Sequence, residues 1–197
     1  MAPAILEAPA QIWTFERFMA ESPDLTELVD GEIYSVAGVS KRHQAVRRML
    51  EIALVAHCEK TGYGTVQGET FAMRIDERNA PMPDIHVYSE SRWGQLHENY
   101  TDAPADLAIE VVSPSNRGSD LSRKLDLYER AGVREYWVVD PERRTGVYYR
   151  LTESGIFHGF HPDADGRICS QAVTGFIIPE AWLFEPPELT ELLSPQI

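Results

Sequence analysis

The sequence predicts one α/β domain in which helices and strands alternate, and three observations carry that reading. Four segments rich in β-branched and aromatic residues stand between turn signals: "TVQGETFAMRI" (65–75), "APMPDIHVYS" (80–89), "ADLAIEVVS" (105–113) and "REYWVVD" (134–140). Two stretches with helical periodicity, 41–60 and 119–132, punctuate them. The order is therefore helix, three strands, helix, strand. Because the last two strands are joined through a helix, they should run parallel with a right-handed crossover.

From the N-terminus, "TFERFMAESPD" predicts a short helix after Thr14, closed by a turn at Ser22-Pro23-Asp24. "TELVDGEIYSV" reads as a hairpin, since Asp30-Gly31 is a strong two-residue turn signal. Ser40 is a natural N-cap for the first long helix, whose apolar face is built from Val46, Leu50, Ala53, Leu54 and His57; Gly62 stops it. Ser119 is the expected N-cap of the second helix and Gly132 its stop. Beyond residue 143, "GVYYRL", "GIFHGF" and "RICSQAV" alternate across turns. They predict hairpins extending one edge of the sheet, followed by a proline-rich tail. The expected core covers about residues 25–185 of a single domain spanning 1–197, with the first ten residues and the tail peripheral.

The 197 residues suffice for one substantial core, and 43% hydrophobic with 25% charged residues is ordinary for a globular chain. No run reaches the roughly 18 apolar residues of a membrane span, and the start lacks the basic and apolar pattern of a signal peptide, so the expected location is cytoplasmic and off the membrane. Cys58 and Cys169 fit no metal-knuckle spacing. The net charge of -13 argues against a broad nonspecific nucleic-acid surface, but positive charge is clustered at Lys41, Arg42, Arg47 and Arg48 and again at Arg117, Arg123 and Lys124.

The chemistry begins at Glu110. It interrupts Leu107, Ile109, Val111 and Val112, residues that want a buried strand. An unpartnered carboxylate in an apolar interior costs several kcal/mol or more, so something should neutralise it or the strand must end in a site. Pro83-Asp84 opens the preceding strand, with His86 two residues on, hence on the same face. Two adjacent acids repel and one pKa rises. A hard divalent cation such as Mg²⁺ removes that conflict, and paired carboxylates sharing a metal suit phosphodiester hydrolysis. On the second helix, Asp120 and Lys124 share a face that Tyr128 extends. Lys124 reads either as the partner of Asp120 in a surface ion pair or as a cation reaching the acids to stabilise developing charge.

"PMPDIHVY", "LAIEVVSPSNRGSDLSRKLDLYERAGVREYWVVDP" and "DGEIYSVAGVSKRH" resemble the Uma-two family of restriction-endonuclease-like proteins, within the PD-(D/E)XK nuclease superfamily. The resemblance implies a restriction-endonuclease-like core, with a central mixed β-sheet flanked by helices, Mg²⁺ or Mn²⁺ dependence, and cleavage of DNA. Carried onto this chain, it makes Asp84 and Glu110 metal ligands, joined by the backbone carbonyl of Val111. The chain departs from the superfamily pattern at Val112, two residues after Glu110, where a lysine is usual. The resemblance implies that this lysine has moved to the next helix, as Lys124. Glu32 and His43 fall at further polar marks of the family; read alone, Glu32 is equally a hairpin residue and His43 a helix-start residue with its ring in solvent.

Two other readings stand beside the nuclease. One is a catalytically silent binding or regulatory protein on a nuclease scaffold, which the acidic charge and the displaced lysine favour. The other, compatible with both, is a homodimer sharing a surface around Tyr148, Tyr149, Phe157 and Phe160.

Overall fold

The computed structural model describes residues 12–23, 26–35, 39–113 and 119–192. A six-stranded mixed sheet forms its centre. In chain order its strands are β3 (Gly64–Gly68), β5 (Ile85–Ser89), β7 (Leu107–Val111), β8 (Glu135–Asp140), β9 (Thr145–Leu151) and β10 (Phe157–Phe160), and in space they run β10-β9-β8-β7-β5-β3. The pair β7–β8, joined through helix α3 (Ser119–Ala131), is parallel as the crossover requires; every other neighbour is antiparallel. The two hairpins after β8 extend the sheet at its β10 edge.

Both faces of the sheet are covered, which explains why β7 reads as an almost unbroken apolar run. Successive side chains alternate between faces. Ile109 and Val111 join Val46, Met49, Leu50, Leu54 and Cys58 of α2 (Lys41–Thr61) in one core. Ala108 joins Tyr128 of α3, with Tyr88 and Tyr136, in a second. A third, smaller core gathers Phe15 and Phe18 of α1 (Phe15–Glu21) against Leu28 and Ala80.

Local signals act where the sequence placed them. The Thr14 hydroxyl caps α1 by accepting from the Arg17 N–H, and the Ser40 hydroxyl caps α2 by accepting from the His43 N–H at 3.2 Å. Gly62 and Gly132 close their helices with positive φ. Asp30 (φ 52°) and Gly31 (φ 79°) make the turn between β1 (Thr26–Val29) and β2 (Glu32–Ser35), which pair antiparallel. Asp24, Arg117 and the expected cap of Ser119 lie outside the described residues or side chains, as do Asp120 and residues 193–197 of the tail.

The sequence expectation differs from the structure in three places. The segment expected as one strand at 65–75 is broken into β3 and the two-residue β4 (Ala72–Met73), which pairs with β6 (Tyr100–Thr101) outside the main sheet. "RICSQAV" does not extend the sheet edge. Its β11 (Arg167–Cys169) pairs with β12 (Ile177–Pro179) as a separate hairpin, whose Ile168, Val173, Phe176 and Ile178 pack over the α2 core. The cause is Glu135, fully buried on β8. Its carboxylate accepts from the backbone N–H groups of Gln171 (2.7 Å) and Ala172 (3.2 Å), the Ser170 hydroxyl (2.9 Å), the Trp137 indole and Arg150. That anchor draws the loop onto the face of the sheet. Finally, of the four aromatic residues expected around a dimer surface, Tyr148 and Phe157 are buried in the chain's own cores, while Tyr149 and Phe160 are half-buried.

Replacing Glu135 with alanine leaves Arg150 and two backbone donors without their acceptor. Urea denaturation of Glu135→Ala should show a loss of about 3 kcal/mol or more with little change in m.

Candidate active site

The acids collect at one end of the sheet because of strand register. Gly68 pairs with Ile85 and Ile85 with Ile109. One residue further along each strand come Glu69, Asp84 and Glu110, a row of three carboxylates across β3, β5 and β7. The row divides between the two faces. Glu110 continues the alternation of β7 and turns to α3. Asp84 lies just outside the ladder, and its carboxylate turns to α2.

On the α3 side, Glu110 is 2% exposed. Its Oε1 accepts from the Tyr128 hydroxyl at 2.8 Å and the Lys124 ammonium at 3.1 Å. Lys124, itself 4% exposed, also lies 3.1 Å from Oε2 of Glu27 on β1. Glu27 Oε2 accepts in turn from the Met82 N–H at 3.3 Å. Burial pushes the Glu110 carboxyl up to about 8, opposed by Lys124 and the Tyr128 hydrogen bond and reinforced by the charges of Asp84 and Glu27. The Tyr128 phenol is held well above its ordinary value by burial and remains a donor.

On the α2 side, Asp84 is clamped by the Val111 N–H, which donates to Oδ2 at 2.6 Å. Oδ1 faces Nε2 of His43 at 3.2 Å. His43 sits one turn before Val46 and two before Leu50, so its ring points inward and is 1% exposed. Neither ring nitrogen makes a hydrogen bond among the described residues, the Asp84 contact being too poorly aligned to count. Glu69 completes this group: one ligand atom from each of His43, Glu69 and Asp84 lies within 4.8 Å of the others.

Of the residues singled out by sequence, Asp84, His43, Glu110 and Lys124 come together at this sheet end. Val111 contributes its N–H to Asp84, and Val112 stays in the core, donating to the Val139 carbonyl at 2.7 Å. The ammonium beside Glu110 thus comes from α3. Glu32 is exposed, accepting from the Tyr34 hydroxyl at 2.8 Å; on this hairpin it is Glu27 that reaches Lys124. His86 is structural: fully buried, it bonds the Tyr88 hydroxyl and the Gly68 carbonyl, and burial lowers its pKa to about 4. Of the basic clusters, Arg42 pairs with Glu142, Arg47 with Glu51, and Arg123 stacks over Tyr34. Sequence reasoning missed Glu27 and Glu69. Neither belongs to a local pattern, and only register and packing bring them in.

These elements are those of a known family. The model of the family described as "Uma2: Putative restriction endonuclease" matches residues 14–181. The chain belongs to the Uma2 family. Among solved structures, it is similar to the crystal structure of "a putative nuclease belonging to DUF820" from Anabaena variabilis ATCC 29413, at 19% identity and a TM-score of 0.73. That match covers 87% of this chain and 97% of the other, and it shows a shared fold. No match was found among curated proteins. No described helix of this Uma2 protein is long and apolar enough to cross a membrane.

The raised Glu110 carboxyl has a measurable consequence in the metal-free protein. Between the ordinary carboxylate range and about 8, native Glu110 keeps a proton that the unfolded chain has lost, so stability falls as pH rises through that window. In EDTA, denaturation midpoints of wild type should drop across this range relative to Glu110→Gln. Parallel pH curves for the two proteins would show that Glu110 is not buried with a raised pKa.

Proposed function

We propose that this Uma2 protein is a divalent-metal-dependent endonuclease that hydrolyses DNA phosphodiester bonds. The observation that carries this reading is the sheet end itself, where Asp84 and Glu110, on adjacent strands, stand beside a buried lysine and a buried histidine whose ring has no hydrogen bond among the described residues.

The residues present suit a divalent cation. Among the described residues, Asp84 Oδ1 meets only His43, and the hydrogen bonds to Glu110 fall on Oε1, which leaves its Oε2 open there. Asp84 and Glu110 are the proposed carboxylates of that site, with Val111 supplying backbone support. A bound cation would supply Lewis-acid polarisation of the phosphodiester and a more acidic water.

The chain's own residues do the rest. The Val111 N–H fixes the rotamer of Asp84. Lys124 presents its amino group beside Glu27 and Glu110, in a site screened from water, where it stabilises negative charge developing on the phosphate or orients the attacking water. Glu27 and Tyr128 are positioning residues. Glu27 draws the ammonium toward β1, and Tyr128 holds Glu110 in place beside it. The basic residues near 41–48 and at Arg123 are the proposed contacts to the DNA backbone.

A plasmid-nicking assay with Mn²⁺ or Mg²⁺ tests this. Wild type should nick, Asp84→Ala should fall to background, and Lys124→Ala should lose roughly 10²–10³-fold. Equal nicking by wild type and Asp84→Ala would sink the proposal. The second reading, a nuclease-fold binding protein without turnover, is favoured by the double carboxylate clamp on Lys124. It predicts DNA binding in a gel-shift assay by a wild type that does not nick with either cation.

A further inference from the structure

We propose that His43 and Glu69 join Asp84 in holding the cation, and that the His43 imidazole makes the site select a transition-metal dication such as Mn²⁺ over Mg²⁺. The inference rests on the metal-dependent reading above and specifies its cofactor.

The first ground is convergence. The ligand atoms of the three residues meet within 4.8 Å, although they come from a helix, a strand end and the start of another strand. Glu110, the acid that pattern reasoning pairs with Asp84, is not in that group; it is bonded to Lys124 and Tyr128 on the other face.

The second ground is independent of the acids. His43 is 1% exposed with both ring nitrogens lacking a hydrogen bond among the described residues. A buried polar group without a partner costs about 1–3 kcal/mol. A cation at Nε2 removes part of that cost. The ring is also held for the task. The Ser40 cap fixes the first turn of α2, and Nε2 lies 3.2 Å from Asp84 Oδ1.

The third ground is charge and support. Two carboxylates and a neutral imidazole balance a dication. Asp84 is oriented from behind by the Val111 N–H, the usual outer support of a ligating carboxylate. Arg47, a like charge to the incoming cation, is drawn aside by Glu51 at 3.1 Å, and its Nε is 3.9 Å from Glu69. It restrains Glu69 without saturating it.

Selectivity follows from ligand type. Mg²⁺ favours an all-oxygen shell and keeps several waters, whereas imidazole nitrogen suits first-row transition metals.

Isothermal titration of the full chain with MnCl₂ and MgCl₂ tests this, using wild type, His43→Gln and Glu69→Gln, with circular dichroism confirming that each variant folds. Wild type should bind Mn²⁺ at least about tenfold more tightly than Mg²⁺. His43→Gln should weaken Mn²⁺ about 10–100-fold and erase the preference, while Glu69→Gln should weaken both ions. Pulsed EPR on Mn²⁺-loaded wild type should show coupling to a ¹⁴N nucleus, which needs no variant at all. Equal Mn²⁺ affinity in wild type and His43→Gln, or no ¹⁴N coupling, overturns the assignment. If Asp84-dependent nicking persists in that case, the nuclease reading survives it. If neither ion binds at millimolar concentration and no nicking occurs, both fall together.

Discussion

Everything at the functional end of this protein is arranged around a lysine carried into the interior. A buried ammonium is tolerated only when its neighbours offset the lost hydration. Lys124 obtains that from the side chains of Glu27 on the N-terminal hairpin and Glu110 on a central strand. Three separate elements, β1, β7 and α3, are therefore tied to one another by a single charge. The hairpin is held further by the stacking of Arg123 over Tyr34, and Tyr34 stands directly opposite Glu27 in its register. Loss of this clamp would free the hairpin and leave an uncompensated charge in the core.

The second organising feature is the end of the sheet. Three neighbouring strands place an acid at corresponding positions, and the sheet then separates them. Glu110 faces α3 and is matched with a lysine. Asp84 and Glu69 lie toward α2 and meet a histidine. Like charges that would repel if they shared one space are split between two environments. Asp84, held by the Val111 N–H, is the hinge between them and lies close enough to Glu110 to raise its pKa.

Much of this was legible in the residues. The caps at Thr14 and Ser40, the Asp30-Gly31 turn and the α3 crossover are local or nearly local devices, and each sits where its chemistry placed it. The same holds for the oddity of Glu110, whose conflict with its apolar neighbours is visible without coordinates. The hairpin at 167–179 was not legible in this way. Its strands look like those before it, and its attachment to the face of the sheet depends on Glu135, more than thirty residues upstream. The burial of Tyr148 and Phe157 was not legible for a related reason. Aromatic alternation marks a strand but does not say which face the chain itself will cover.

Composition, periodicity and capping chemistry marked the helices, the parallel pair and the acids Asp84 and Glu110 as candidates, because these rest on spacing along the chain. Packing alone decided which groups those acids meet. Glu27 and Glu69 carry no signal in "TELV" or "QGET", and His43 could as well have faced water. They enter the site because β-sheet register and helix docking bring together residues 27, 43, 69, 84, 110 and 124, and contacts between positions so far apart exist only once the chain has closed on itself.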